Sequence, residues 1–318
     1  MPHVLTLVAA PGALAPRHLA AARAALEGLG AELGPADWLA EGEAADLPFG
    51  GLAAEQAMAA ARAAMPGEPL DLLAQPAAGR RKRLLLADMD STIVTTETLD
   101  ELAAFAGLKD RIAAITARAM NGELDFREAL RERVAMLAGL PAAALEETWR
   151  TTELMPGARE LVATMRANGA HCALVSGGFD VFTGRLAELV GFHEHHSNRL
   201  EMRGDALAGT VAEPILDKHA KLATLKELAA RHGLALAETS AVGDGANDLP
   251  MLRAAGLGVA FRAKPAVLAE ARFSVRHGDL RALLFAQGYK ASEITASWQT
   301  APPARRPPRR APSPRAGA

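Results

Sequence analysis

The 318-residue sequence predicts an α/β fold: a doubly wound parallel sheet with an inserted helical cap and a small N-terminal α+β domain. Three observations carry that prediction. Continuous apolar runs recur from residue 84 onward, each ended by small or acidic residues. Amphipathic helical stretches separate the runs, and one long all-helical stretch interrupts the alternation. Hydrophobic residues make up 50% of the chain and charged ones 23%, which excludes a mainly disordered protein. A net charge of −2 gives no general attraction to nucleic acid or anionic lipid. No signal peptide and no uncharged run long enough to span a bilayer is visible, and the lone Cys172 cannot form an internal disulfide. These features predict a cytoplasmic protein with neither a nucleic-acid nor a membrane partner.

The elements follow in order. Residues 4–8 read as a strand and 16–29 as a helix with Leu19, Ala22, Leu26 and Leu29 at helical spacing. Residues 31–40 read as extended, 52–64 as an alanine-rich helix and 70–73 as a further apolar segment, which together make an α+β module over 1–75. Residues 76–83, with Pro76, Gly79 and the run Arg80, Arg81, Lys82, Arg83, read as a linker whose charges form a solvated lead-in to the next strand. The core occupies 84–94 and 154–290. Its strands are expected at 84–87, 172–175, 241–242, 258–261 and 273–275, with helices near 157–168, 179–190, 218–232 and 247–255. The helical insert 95–153 must project as a cap over the carboxyl ends of the strands, and 196–212 reads as a β-hairpin. Six prolines and five arginines without an acid in the last twenty residues predict a disordered tail over 298–318.

The polar clusters fall at strand ends, where doubly wound sheets place their sites. Asp88 and Asp90 stand two apart at the end of the first core strand, so both carboxylates project to one side. Like charges so close raise each other's pKa unless a cation or donors compensate; the plainer reading has Asp90 as a helix N-cap. Ser176, Gly177 and Gly178 before a helix form either a phosphate cradle or an ordinary tight turn. Lys221, alone on a helix, reads as solvated. Asp244 and Asp248 flank Asn247 around a strand-to-helix turn, an oxygen-rich set that suits Mg²⁺. His193, His195 and His196 lie close together without the acidic or cysteine company of a zinc site.

The order DMDST, SGGF, a lysine and GDGAND resembles the haloacid dehalogenase-like phosphatases from residue 84 to the 280s. Within them, ADMDSTIVTTETLDELA and AVGDGANDLPML are similar to the phosphoserine phosphatase branch, and residues 1–75 are similar in layout to the ACT-like extension of some bacterial members. The resemblance implies a Rossmann-like core and assigns roles. Asp88 becomes the nucleophile, and Asp90 the acid and then the base. Mg²⁺ is held by the side chains of Asp88 and Asp244 and the backbone carbonyl of Asp90. Ser176 and Gly177 bind phosphate, Lys221 pairs with nucleophile and phosphate, and Asn247 and Asp248 support the site. In the cap, Glu97 binds the substrate amino group, Arg133 its carboxylate, and Met120 and Phe126 close over them. Arg133 has independent support, because it lies seven residues after Phe126, about −20° away at ~100° per residue, on the apolar stripe of Leu130 and Leu137. A charge on that stripe needs a partner, either a substrate carboxylate or a structural acid. For Glu97 the plainer role is a helix-start acid.

The implied reaction is Mg²⁺-dependent hydrolysis of O-phospho-L-serine to L-serine and phosphate, the last step of serine biosynthesis. The alternative on the same scaffold is another small phosphate ester, or transfer of the phosphoryl group to homoserine. A homodimer is compatible with the sequence.

Overall fold

The computed structural model describes residues 1–120 and 123–295; the side chains of Met120 and Lys218 and the expected tail over 298–318 lie outside the described residues. The N-terminal module comprises β1 (His3–Val8), α1 (Pro16–Glu27), β2 (Glu32–Leu33), β3 (Asp37–Ala40), β4 (Ala44–Gly50), α2 (Ala54–Ala64) and β5 (Asp71–Pro76). Its sheet runs β2-β4-β1-β5 and is antiparallel throughout, with β3 also on β4. This is the split βαβ arrangement of ferredoxin-like modules. Leu5 and Leu7 point to the side covered by α1 and α2, where they pack with Leu19, Leu26 and Ala57. Val8 and Leu73 pack with the parallel-sheet core instead.

The core begins at β6 (Leu84–Ala87). The cap follows as α3 (Thr98–Ala104), α4 (Lys109–Met120), α5 (Phe126–Ala135) and α6 (Ala143–Thr151). Then come α7 (Ala158–Ala167), β7 (His171–Phe179), α8 (Asp180–Val190) and β8 (Glu194–Asn198), and a hairpin of β9 (Leu200–Arg203) and β10 (Ala206–Val211). The chain continues through α9 (Lys218–Arg231), β11 (Thr239–Gly243), α10 (Leu249–Ala254), β12 (Leu257–Phe261), α11 (Pro265–Glu270), β13 (Phe273–Val275) and α12 (Ala282–Ala286). The six-stranded sheet has the order β13-β12-β11-β6-β7-β8, and every pair is parallel. Alternate residues of β6 explain why its run is unbroken: Leu84 and Leu86 pack with Leu225 and Leu228 of α9, while Leu85 packs with the layer containing Leu161 of α7 and Leu186 of α8. The doubly wound α/β class predicted from the sequence is therefore the class observed.

Three expectations are corrected. Residues 194–198 belong to the parallel sheet as its edge strand, so the hairpin is shorter than 196–212. Its polar Glu, His, His, Ser, Asn composition is tolerated because an edge strand keeps one side open to solvent. The second core strand does not stop at Val175 but continues through Ser176 and the two glycines to Phe179, with a register shift in its pairing to β8. The basic run is a strap rather than a solvated lead-in, although Arg81 and Arg83 are exposed. Arg80 ion-pairs with buried Asp46 at 2.6 Å, and buried Lys82 donates to the carbonyls of Gly79 and Ala237 at 2.9 Å each. Beside the strap, Asp71 accepts the backbone N–H groups of Arg276, His277 and Gly278, and Gln75 donates to the Ala286 carbonyl.

The hairpin, which had no role in the sequence, buttresses the cap. Gly139 donates to the Leu207 carbonyl, Leu207 to that of Leu140, and Ala142 to that of Asp205. Gly209 permits this contact, since a Cβ there would stand 2.7 Å from that of Ala138.

Candidate active site

Three adjacent strands deliver the polar clusters to one place. Asp88 follows directly on β6, and its N–H donates to the Val242 carbonyl of β11, so the acid is held by the sheet itself. Lys221, on α9, is 1% exposed; its Nζ lies 2.7 Å from Asp88 Oδ1 and 2.6 Å from Asp248 Oδ1. The solvated-lysine reading is thereby excluded. Asp248 uses its other oxygen to accept from Gly245 N–H at 3.0 Å, which fixes the turn after β11. A side chain at Gly243 would collide with Asp248, which explains the small residue there.

Asp88, Asp244 and Asp248 offer carboxylate oxygens all within 4.8 Å of one another and are buried. Three clustered carboxylates exceed the charge of Lys221. Burial and the Asp248 charge push Asp88 well above the ordinary carboxylate range, against the attraction of Lys221. Burial also raises Asp244 to about 6, although Lys264 opposes it. Asp244 Oδ1 is buried with no hydrogen-bond partner among the described residues, so the protein leaves one acceptor for a cation. An all-oxygen donor set with excess negative charge fits Mg²⁺. Asp248 is committed to Lys221 and Gly245, which leaves Asp88 and Asp244 as the side-chain ligands on offer.

Asp90 lines the same pocket as Asp88 but has different partners. Its Oδ1 accepts the Thr98 N–H at 2.8 Å, and its Oδ2 accepts from Ser176 Oγ at 3.4 Å. Burial first, and then the neighbouring Glu97 charge, raise it to about 7, while the Thr98 hydrogen bonds pull it down. The next residue, Ser91, takes the left-handed conformation (φ +53°) and donates to Glu97 Oε1 at 2.8 Å. Ser176 is buried, and its Oγ accepts the Gly178 N–H at 2.8 Å, curling the loop into a cradle. Gly177 is required sterically: a Cβ there would lie 2.8 Å from the Phe126 ring of the cap.

A pocket closes between core and cap. On the core side it is lined by Asp88, Asp90, Ser176, Gly177 and Asn247, and on the cap side by Glu97, Thr116, Phe126, Leu130 and Arg133. Arg133 is 6% exposed; it donates to the Ala129 carbonyl at 3.1 Å and to Thr116 Oγ1 at 2.9 Å, and makes no direct ion pair among the described residues. Burial lowers its pKa, and the more distant Asp100, Glu97 and Asp90 only partly offset this. A desolvated guanidinium has the planar donor fork that matches a carboxylate. Asn247 Oδ1 is likewise buried without a partner among the described residues. Met120 ends α4, but its side chain lies outside the described residues.

Several site residues have no place in the sequence reading. Lys264, the N-cap of α11, reaches Asp244 Oδ2 at 2.5 Å and Glu97 Oε1 at 3.6 Å, so it ties a core acid to the first cap helix. The signal was available, since Lys264 follows a strand end and precedes Pro265 at a helix start. Thr116 links Arg133 to Asp100, which accepts from it at 2.9 Å. Nothing in the local sequence marks that relay.

Residues 85–253 match the family model for haloacid dehalogenase-like hydrolases. The phosphoserine phosphatase SerB2 of Mycobacterium tuberculosis is 46% identical over 220 residues, covering 69% of this chain and 54% of the relative. The phosphoserine phosphatase of Streptococcus thermophilus is 46% identical over 213 residues, covering 67% of this chain and 95% of the relative. A solved structure described as a phospho-aspartyl intermediate analogue of phosphoserine phosphatase superposes with a TM-score of 0.62 at 39% identity, covering 64% of this chain and 98% of its own. The chain matches only 54% and 58% of the length of the first two curated relatives. With the family model spanning more than half of the sequence and the strand-end acids, cradle and buried lysine in one crevice, the chain belongs to the haloacid dehalogenase-like hydrolases.

Proposed function

We infer that this protein is a Mg²⁺-dependent phosphatase that converts O-phospho-L-serine to L-serine and phosphate through an aspartyl phosphate on Asp88. One observation carries the substrate assignment. Opposite Asp88 and Asp90, the same pocket presents a buried Arg133 with no carboxylate partner among the described residues and a Glu97 able to meet an ammonium group. A phosphate ester of a small amino acid satisfies both walls at once. In this reading 84–94 and 154–290 are the catalytic core, 95–153 the cap that selects the substrate, and 1–75 an accessory ACT-like module.

The chemistry follows from the residues. Asp88 attacks phosphorus and forms the acyl phosphate as the seryl oxygen departs. Asp90, held near neutrality by burial, donates its proton to that oxygen and then, as carboxylate, takes one from the water that hydrolyses the intermediate. Lys221 neutralises charge on Asp88, while Ser176 and the amides of its loop hold the transferring oxygens. Mg²⁺ held by Asp88, Asp244 and the Asp90 carbonyl would supply further neutralisation of the nucleophile and the phosphoryl group.

Arg133→Met tests the assignment. Loss of charge-assisted hydrogen bonds worth roughly 1.5–3 kcal/mol should raise KM for phosphoserine about 10- to 100-fold. Hydrolysis of O-phosphoethanolamine, which lacks the carboxylate, should change little. Equal losses on both esters would make Arg133 a structural residue and remove the amino-acid assignment.

A further inference from the structure

A second group of ligand-type side chains lies at the opposite end of the sheet from the catalytic crevice. His171 opens β7, Glu194 opens β8, and His232 is the C-cap of α9. Each offers a nitrogen or oxygen within 4.8 Å of the other two. His171 Nε2 is 2.6 Å from Glu194 Oε1, and the His171 ring lies between those of His193 and His232, with centroids 4.6 and 4.2 Å away. His196 Nε2 meets the other Glu194 oxygen at 3.1 Å. The local trio His193, His195 and His196 is thus not the set that converges. The folding of three distant segments creates a different one.

We propose that His171, Glu194 and His232 form a binding site for a zinc-class divalent transition-metal ion, separate from the catalytic centre. Two imidazoles and a carboxylate are the donor mixture of Zn²⁺ and its neighbours, whereas Mg²⁺ prefers oxygen alone. Imidazole must be neutral to ligate, so uptake should strengthen as pH rises above the histidine range. Metal–ligand bonds of about 2.0–2.1 Å in a tetrahedral site require ligand atoms to stand roughly 3.3 Å apart. His171 and Glu194 therefore need to part by less than about 1 Å, and exposed His232 is free to swing toward them. His196 would then remain as an outer partner of Glu194.

One cation already competes for this position. Arg231 donates from Nη1 to both Glu194 oxygens at 3.1 Å. It also reaches exposed Glu227 at 3.0 Å, so it retains a carboxylate when Glu194 turns to a metal. Occupancy would pin the starts of two strands and the end of α9 together without touching the crevice.

The test is calorimetric titration of Zn²⁺ into the full chain in saturating Mg²⁺, which keeps the acidic cluster occupied. The wild type should bind one Zn²⁺ through nitrogen-rich coordination, visible in zinc-edge X-ray absorption. Even the loss of an outer partner of a ligand commonly costs 10- to 100-fold in affinity, so His232→Ala and Glu194→Gln should each weaken binding by more than about tenfold. Arg231→Ala should bind more tightly. His232 is exposed at a helix end, so its variant should keep the fold, with unchanged phosphate release as the check. Absence of Zn²⁺ uptake, equal affinity in wild type and His232→Ala, or an all-oxygen coordination shell would overturn the proposal.

Discussion

At the scale of single residues, one buried cation and three buried acids set the site. Lys221 links Asp88 to Asp248, and the third acid, Asp244, is left with an oxygen for a metal. Removing the lysine leaves two carboxylates buried without their shared partner. Lys221→Met should therefore destabilise the metal-free protein by about 3–5 kcal/mol in urea unfolding and abolish turnover. Asp88→Asn removes one of three crowded charges and leaves Lys221 paired with Asp248. It should cost less than about 1 kcal/mol while turnover is lost equally, so activity and stability separate between the two variants. Asp88, Asp90, Ser176 and Asp244 are legible in the sequence because each follows closely on an apolar run, and Asp248 because it shares the turn after the run that ends at Gly243. Lys264 and Thr116 are not. Their partners lie on other elements, and only the fold, through the Lys264 N–H bond to the Asp244 carbonyl after β11 and the packing of α4 against α5, brings them into contact.

At the scale of elements, the parallel strands are readable because both faces are buried and the hydrophobic run is unbroken. The edge strand β8 is not, since its Glu, His, His, Ser, Asn composition shows neither alternation nor a run. Its place depends on β7, which supplies the pairing. The polar part of the seam between module and core is equally invisible, because single side chains there capture backbone groups from distant segments. Asp71 accepts three N–H groups from the segment after β13. Asp71→Ala would leave those donors without their acceptor in a largely buried seam and should cost about 2–4 kcal/mol, measured by urea unfolding. Asp71→Asn keeps an acceptor oxygen and should cost less. Equal losses from the two substitutions would show that the carboxylate does not hold the seam.

At the scale of the whole molecule, the catalytic crevice stores electrostatic strain that a divalent ion would relieve. Asp244 has its folded pKa raised to about 6 from an ordinary 3.8, so its contribution to stability is fully present below about pH 4 and is lost as pH rises through about 6. Over the same interval the acid becomes competent to ligate. Added Mg²⁺ should therefore raise the melting temperature little at pH 5 and most at pH 8, as followed by differential scanning calorimetry; an increment independent of pH would place the ion elsewhere. The most direct measurement concerns the covalent step on which the function rests. Borohydride added during steady-state turnover of phosphoserine, followed by peptide mass spectrometry, should convert the side chain at position 88 alone to its alcohol. Phosphate release with no reduction at Asp88, or with reduction at another acid, would contradict an aspartyl phosphate formed there.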